Sequence, residues 1–524
     1  MTVSNQSKLK SGVDSAAFVS YLPEGWVWAH LADVANARLG KTPRRSEYRD
    51  NGTHRIVKFR DITDKGVDYS ESKAAYVIND PAVLKGLRPL SIGDVLVTAS
   101  AHSGDQIGKK CAYVDHLPEV VGGTFFVGEL LSITGDPRIM HRKWPYYWFL
   151  GDDGIRAVQA AVAGVHLTGG RAQYIPIPIA PLEEQKRIVA KVEELLARVN
   201  VVRERLVRVK GILRRFRQSV LAAACSGTLT VVWRAMRPNI QTAAKLVEEA
   251  KLWEKSRYTE ECEKARLNGK GTSRKPAILD LKELDCNPDI ESWATLKMGY
   301  AFRPDGLFDG PFGSNLKTAD YTQGGVRVIR IENIGFLSFL EEKRTYISAQ
   351  KYETLKKHTV GEGDLIFASF ISDGVRAVVL PKTEKSIAKA DCFCLRPLPQ
   401  LLDSRCLAII LSSGQAYSKL IEGIHGATRP RITTKQLRNL DIPLPPLEEQ
   451  KEIVRRVETL FKLADAIEKR VAVAAERAER LTQTILAKAF RGELVPTEAE
   501  LARQDGRSYE SASALLAKIK TKRS

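Results

Sequence analysis

The chain is written twice. Residues 181–229 (PLEEQKRIVAKVEELLARVN…RRFRQSVLAAACSGTL) and residues 446–494 (PLEEQKEIVRRVETLFKLAD…ERLTQTILAKAFRGEL) align at a constant separation of 265, with 19 of 49 positions identical. A duplication on this scale narrows the possible folds sharply, because each half must be a version of the same plan. Each copy reads as one long helix. Pro181 and Pro446 suit the first helical position, Glu183–Glu184 and Glu448–Glu449 place negative charge at the positive end of the helix dipole, and Gly227 and Gly492 supply the stop.

Apolar residues step through both copies by threes and fours. In the first they are Val192, Leu195, Val199, Val202, Leu206, Val209, Leu213, Phe216 and Val220; in the second Val457, Leu460, Ala464, Ile467, Val471, Ala474, Ala478, Leu481 and Ile485. A stripe kept on a seven-residue period over four heptads predicts a coiled-coil seam, with the alanines of the second copy facing larger residues of the first. These eighteen positions are the candidates for helix–helix contact and for docking of a partner. The helices read as stiff spacers.

The repeat continues more weakly outside the helices. Trp28-Ala29-His30-Leu31 aligns with Trp293-Ala294-Thr295-Leu296, Arg55–Lys58 with Arg327–Arg330, and Ile92–Val97 with Glu362–Phe367. Residues 21–180 and 286–445 are therefore expected to be two related domains. Short β-branched runs broken by Gly, Asp and Pro predict a mainly β core in each. The fold class is mixed α+β: two duplicated β-rich domains and two long helices with pseudo-twofold character. Residues 1–20 and the basic tail 495–524 read as loosely ordered, and 230–285 as a charged helical linker with an amphipathic stretch at 240–267 (Leu246, Ala250, Trp253).

Lys and Arg outnumber Asp and Glu by 81 to 62, a formal charge of +19 that favours a polyanionic partner, nucleic acid before membrane. Seven scattered cysteines without a CxxC pair argue against a disulfide framework or zinc ribbon and for a reducing cytoplasm. No run reaches the roughly 18 apolar residues of a membrane span.

Catalytic signatures are missing. Gly40-Lys41-Thr42 ends like a P-loop, but Ala35 stands where the first glycine belongs. Asp309-Gly310-Pro311-Phe312 approaches the base-holding motif of amino-methylating enzymes, yet glycine replaces its first proline, so a glycine turn is the better reading. Glu184-Gln185-Lys186 and Glu449-Gln450-Lys451 spell the last part of a nuclease motif without its Pro-Asp partner, and the eight histidines show no metal-binding spacing. No catalytic or metal-binding residue is assigned.

What remains is a set of polar and basic loops of the composition that contacts phosphates and base edges. In the first domain the candidates are Lys41, Thr42, Arg44, Arg45, Ser103, Gln106, Lys109, Lys110 and Arg171. In the second they are Ser314, Asn315, Lys317, Arg330, Asn333, Ser372, Arg376, Arg429 and Arg431.

The paired entries PIAPLEEQKRIV (178–189) and PLPPLEEQKEIV (443–454), Leu22-Pro23-Glu24-Gly25-Trp26, Gly310–Lys317 and Thr428-Arg429-Pro430-Arg431-Ile432 resemble the specificity subunit of type I restriction–modification systems. The first half's counterpart of that last stretch, read as Leu167-Thr168-Gly169-Gly170-Arg171, departs from the family form. The resemblance implies two target-recognition domains held apart by antiparallel helices. Each would read half of a split, asymmetric double-stranded DNA site. It implies no cofactor on this chain. S-adenosylmethionine, Mg and ATP would belong to partners, namely two adenine-N6 modification subunits docked on the helices and ATP-driven restriction subunits. A coiled-coil scaffold, a DNA-binding protein without bipartite specificity, and an unrecognised methyltransferase or nuclease are the competing readings.

Overall fold

The computed structural model describes residues 22–523 apart from 163, 270, 272–273, 312–314, 372–373 and 423–430. The long helices are α1 (Leu182–Cys225), α2 (Ala243–Leu267) and α3 (Leu447–Phe490), followed by the shorter α4 (Glu498–Asp505) and α5 (Ala512–Arg523). Among the described residues no helix is long and apolar enough to cross a membrane. The chain divides into two compact units, one running to Val207 and resuming at Ala472, the other spanning Arg208–Val471. Each 44-residue helix thus begins in one unit and ends in the other.

The first unit contains β1 (Val27–His30), β2 (Ala35–Leu39), β3 (His54–Val57), β4 (Val95–Thr98), β5 (Cys111–Tyr113), β6 (Thr124–Phe126), β7 (Leu130–Gly135) and β8 (Pro176–Ile179). Its main sheet is antiparallel in the order β2-β7-β4-β5; β3 and β6 pair in parallel in a second sheet, and β1 pairs with β8. The second unit repeats these eight strands. Its members are β9 (Ala294–Lys297), β10 (Phe302–Asp309), β11 (Val326–Ile329), β12 (Leu365–Ala368), β13 (Ala377–Val379), β14 (Ser386–Ala388), β15 (Cys392–Pro397) and β16 (Asp441–Leu444). The order β10-β15-β12-β13, the parallel β11–β14 pair and the β9–β16 pair match. Strands such as β4 and β12 are buried along their whole length, which is why apolar residues follow one another through Val95–Val97 and Leu365–Ala368.

Strand register corrects one sequence alignment. Val27 faces Ile179 and Ala294 faces Leu444, so the counterpart of Trp293 is Trp26, not Trp28. The side chains agree. Trp26 Nε1 donates to Glu184 at 2.8 Å, and Trp293 Nε1 donates to Glu449 at 2.8 Å. Both carboxylates are fully buried. The adjacent glutamines act alike: Gln185 donates to the carbonyls of Ile139 and Ala180 and accepts from His141 N, and Gln450 donates to Leu401 and Pro445 and accepts from Asp403 N. The repeated Glu-Gln thus ties each helix start to its β domain, and its resemblance to nuclease spelling is explained by packing.

Within each unit the two long helices run antiparallel. In the first, Arg187 reaches Glu498 while Arg203 reaches Glu479 and Thr482; in the second, Arg217 reaches Asp465 and Glu468 while Arg456 reaches the carbonyl of Leu229. This register sets Leu206 level with Ala478 and Val220 level with Ala464, a large residue against a small one. Only one of the two heptad positions is well covered. Val192, Val199, Leu213, Val220, Val457, Ala464, Val471, Ala478 and Ile485 are buried, whereas Val202 and Leu481 are about half exposed at 46% and 50%. Two helices alone cover a narrow strip, so the expected seam of eighteen residues is half that width, with Leu195, Leu206, Val209, Phe216, Leu460, Ile467 and Ala474 at its margin.

The tail is ordered, contrary to the expectation of a solvated basic run. Ala499, Ala502, Ala512, Leu516 and Ile519 are buried, and Ala512 N donates to Gly25 O. Glu498 N donates to Glu184, and in the second unit Thr230 Oγ1 donates to Glu449. The segment after each long helix therefore folds back onto the start of the other. Gly492 (φ 70) and Gly227 (φ 75) make that turn: a Cβ there would lie 2.4 Å from Pro23 and from Ile290, respectively.

Candidate nucleic-acid interface

One end of each main sheet gathers three segments in a shared frame. In the first unit, Lys41 N donates to Phe126 O where the chain leaves β2, and a Cβ on Gly40 would lie 2.3 Å from the carbonyl oxygens of Phe126 and Val127. Only glycine permits that approach, which accounts for the P-loop-like spelling. Thr42 Oγ1 donates to Glu129 at 2.8 Å, and Ala99 N donates to Glu129 O. Leu167 N donates in turn to Ala99 O, and His166 Nδ1 lies 3.0 Å from Ser100 Oγ. Lys58, at the end of β3, holds its ammonium 3.9 Å from the ring centre of Tyr48. Burial, reinforced by Glu129 and Glu47, pushes the Tyr48 hydroxyl up to about 12, and burial lowers Lys58.

The second unit rebuilds the frame with other side chains. A Cβ on Gly310 would lie 2.2 Å from the backbone of Lys389, so Asp309-Gly310-Pro311 is a close-approach turn. Ser369 N donates to Asp391 O, and Ile432 N donates to Ser369 O. Asp391 sits in the left-handed region (φ 74), and its carboxylate is 2.8 Å from the Arg431 guanidinium, which also lies 5.8 Å from the Phe370 ring centre. Arg330 stands 5.6 Å from the Tyr321 ring, as Lys58 stands over Tyr48.

These bonds correct a second alignment. The isolated bridges Ser100–His166 and Phe370–Arg431 are equivalent, so His166, not Arg171, is the counterpart of Arg431. Arg171 is half-buried, with its guanidinium toward the carbonyl of Val162.

Of the other candidates, Arg44, Arg45, Asn315 and Lys317 are exposed and Arg376 is half-buried. Lys41 donates to Lys85 O at 2.7 Å. Ser103, Gln106 and Lys109 gather around Asp105 and hold its carboxyl below the ordinary range, and Lys110 lies over Phe59. Asn333 leaves the candidate set. It is 1% exposed, and its amide is spent on the carbonyls of Leu340 and Lys343 and on Arg330 N. Asp61, its buried counterpart, accepts from Lys58 N in the same way. Ser314, Ser372 and Arg429 lie outside the described residues. His166, Lys58 and Tyr48 escaped sequence reasoning, although the pairing of Lys58 with Arg330 in the repeat was available as a signal. Among the described residues no cluster of acidic, histidine and cysteine side chains could hold a metal.

A family model described as the type I restriction modification DNA specificity domain matches residues 313–477. The type I restriction enzyme StySPI specificity subunit of Salmonella potsdam is 30% identical over 514 residues, covering 96% of each chain. The EcoBI specificity subunit of Escherichia coli is 32% identical over 370 residues (70% of this chain, 69% of the relative), and the EcoKI specificity subunit of strain K12 is 28% identical over 515 residues, 96% of each. A solved chain from work on the complex assembly and conformational transition of the type I R-M system shares the fold, with a TM-score of 0.60 at 20% identity over 90% of this chain and 99% of that one. With the duplicated frame already evident from its own bonds, this chain belongs to the family of type I restriction enzyme specificity subunits.

Proposed function

We propose that this chain is the non-catalytic subunit that selects DNA for a type I restriction–modification complex. Each β-rich unit reads one half of a split, asymmetric site. The observation that carries the reading is a frame built twice with unlike side chains at equivalent points: His166 with Ser100 in one unit, Arg431 with Asp391 and Phe370 in the other. A frame kept while its polar tips change is what two readers of different base sequences require. Arg431, oriented by a carboxylate, suits a bidentate contact to guanine or a phosphate, and the surrounding Lys and Arg supply backbone contacts.

The 44-residue helices, each about 66 Å long at 1.5 Å per residue, fix the spacing between half-sites. Half-sites about one helical turn (~10 bp) apart would present compatible faces. The chain positions two adenine-N6 modification subunits, which bring S-adenosylmethionine, and ATP-dependent restriction subunits. The test is selection from random duplex DNA together with methylation sequencing of the host genome. A bipartite motif with a fixed gap, modified on both strands, is expected; a single contiguous motif, or none, would sink the reading.

A further inference from the structure

In the second unit an open groove of about 850 Å³ runs beside the long helices, floored by Phe336, Leu337, Val379, Ile409 and Phe461. The equivalent place in the first unit is filled. Strand register makes Tyr113 the counterpart of Val379, and the Gln185–His141 and Gln450–Asp403 bonds make Tyr146 and Tyr147 the counterparts of Ala408 and Ile409. The three tyrosines pack as a chain, with ring centres 6.1 Å apart between Tyr113 and Tyr146 and 5.0 Å between Tyr146 and Tyr147. Lys143 lies over Tyr113 and pairs with Glu193. The second unit keeps that ion pair, as Arg405–Glu458 at 3.5 Å, but lacks the rings.

The rim decides what the groove can take. Its acids are engaged: Glu458 by Arg405, and Asp465 and Glu468 by Arg217. Lys210, Arg214 and Lys462 also line it, are exposed, and make no ion pair among the described residues. An apolar floor sized for aromatic rings, under a rim whose five cations outnumber its three acids by two, is complementary to an acidic segment carrying an aromatic anchor.

We propose that this groove receives an acidic, aromatic-anchored segment of one modification subunit, so that the two modification subunits are held by non-equivalent contacts. The proposal rests on the functional reading above. The discriminating variant, V379Y/A408Y, grafts residues the first unit already carries at these positions and fills the groove from within. A second variant, R214E/K462E, reverses the rim charge on exposed side chains and leaves the core untouched.

Full-length chain is titrated with purified modification subunit and followed by native mass spectrometry. Either variant should bind the first subunit normally and the second at least about tenfold more weakly, as loss of a central anchor does. Two subunits bound with wild-type midpoints in both variants would overturn the groove assignment alone. A wild-type chain that binds no modification subunit would overturn the functional reading, and the groove with it.

Discussion

Trp26 donates its indole N–H to the buried carboxylate of Glu184 at 2.8 Å, and that carboxylate also accepts from the backbone N–H of Glu498. One side chain thus joins the start of the first β domain, the start of α1 and the returning tail. Trp26→Phe leaves Glu184 short of a donor, and a loss of about 1.5–3 kcal/mol is expected for a bond to a charged group. Denaturant unfolding checks it. Burial holds the Glu184 carboxyl above its ordinary 4.5, outweighing the two hydrogen bonds. Between 4.5 and that raised value the folded chain therefore keeps a proton that the unfolded chain releases. This group's stabilising contribution is complete below 4.5 and fades as pH rises through the raised value. Glu184→Gln should remove that slope from stability measured between about pH 4 and 7.

Arg203 and Arg217 test the spacer. Each holds carboxylates on α3, Glu479 for one, Asp465 and Glu468 for the other. Inserting four residues after Val209 in α1 alone adds about one turn between them, so both cannot keep their partners. The selected DNA gap should change or binding should vanish. An unaltered gap in a random-spacer selection would refute the ruler.

Gly40→Ala and Gly310→Ala place a methyl group 2.3 and 2.2 Å from backbone atoms. Each should lower stability by about 1–3 kcal/mol, the usual cost of overpacking, and weaken readout of its own half-site. Thermal melts paired with binding to DNA altered in one half at a time separate the two effects.

Arg431→Ala and His166→Ala should act on opposite halves of the site. A base contact predicts a loss of about 1–3 kcal/mol and relaxed preference at one position; a phosphate contact predicts uniform weakening and a smaller salt slope. Binding titrations at two salt concentrations distinguish them. If both variants affect the same half-site, the equivalence of the positions fails as a functional statement.

The duplication, the two helices and the β-rich character of both domains were all legible in the sequence, because periodicity and repeated caps are local properties that survive without coordinates. The errors share a cause. Matching letters pairs Trp28 with Trp293, while the equivalence with Trp26 lies in which indole reaches the buried glutamate, a contact spanning more than 150 residues. Nothing in the letters marks His166 as the counterpart of Arg431, and only the bridge to Ser100 reveals it. Asn333 read as a reader because an amide looks the same whether it faces solvent or two carbonyls. The basic tail read as solvated because its few apolar residues, such as Leu516 and Ile519, become a buried face only against the first domain. Sequence alone determined the parts and their twofold repetition, since helix propensity and heptad spacing act over a few turns. Tertiary structure decided which polar groups are spent internally and which are left to meet a partner, since burial and hydrogen-bond satisfaction depend on segments brought together from distant parts of the chain.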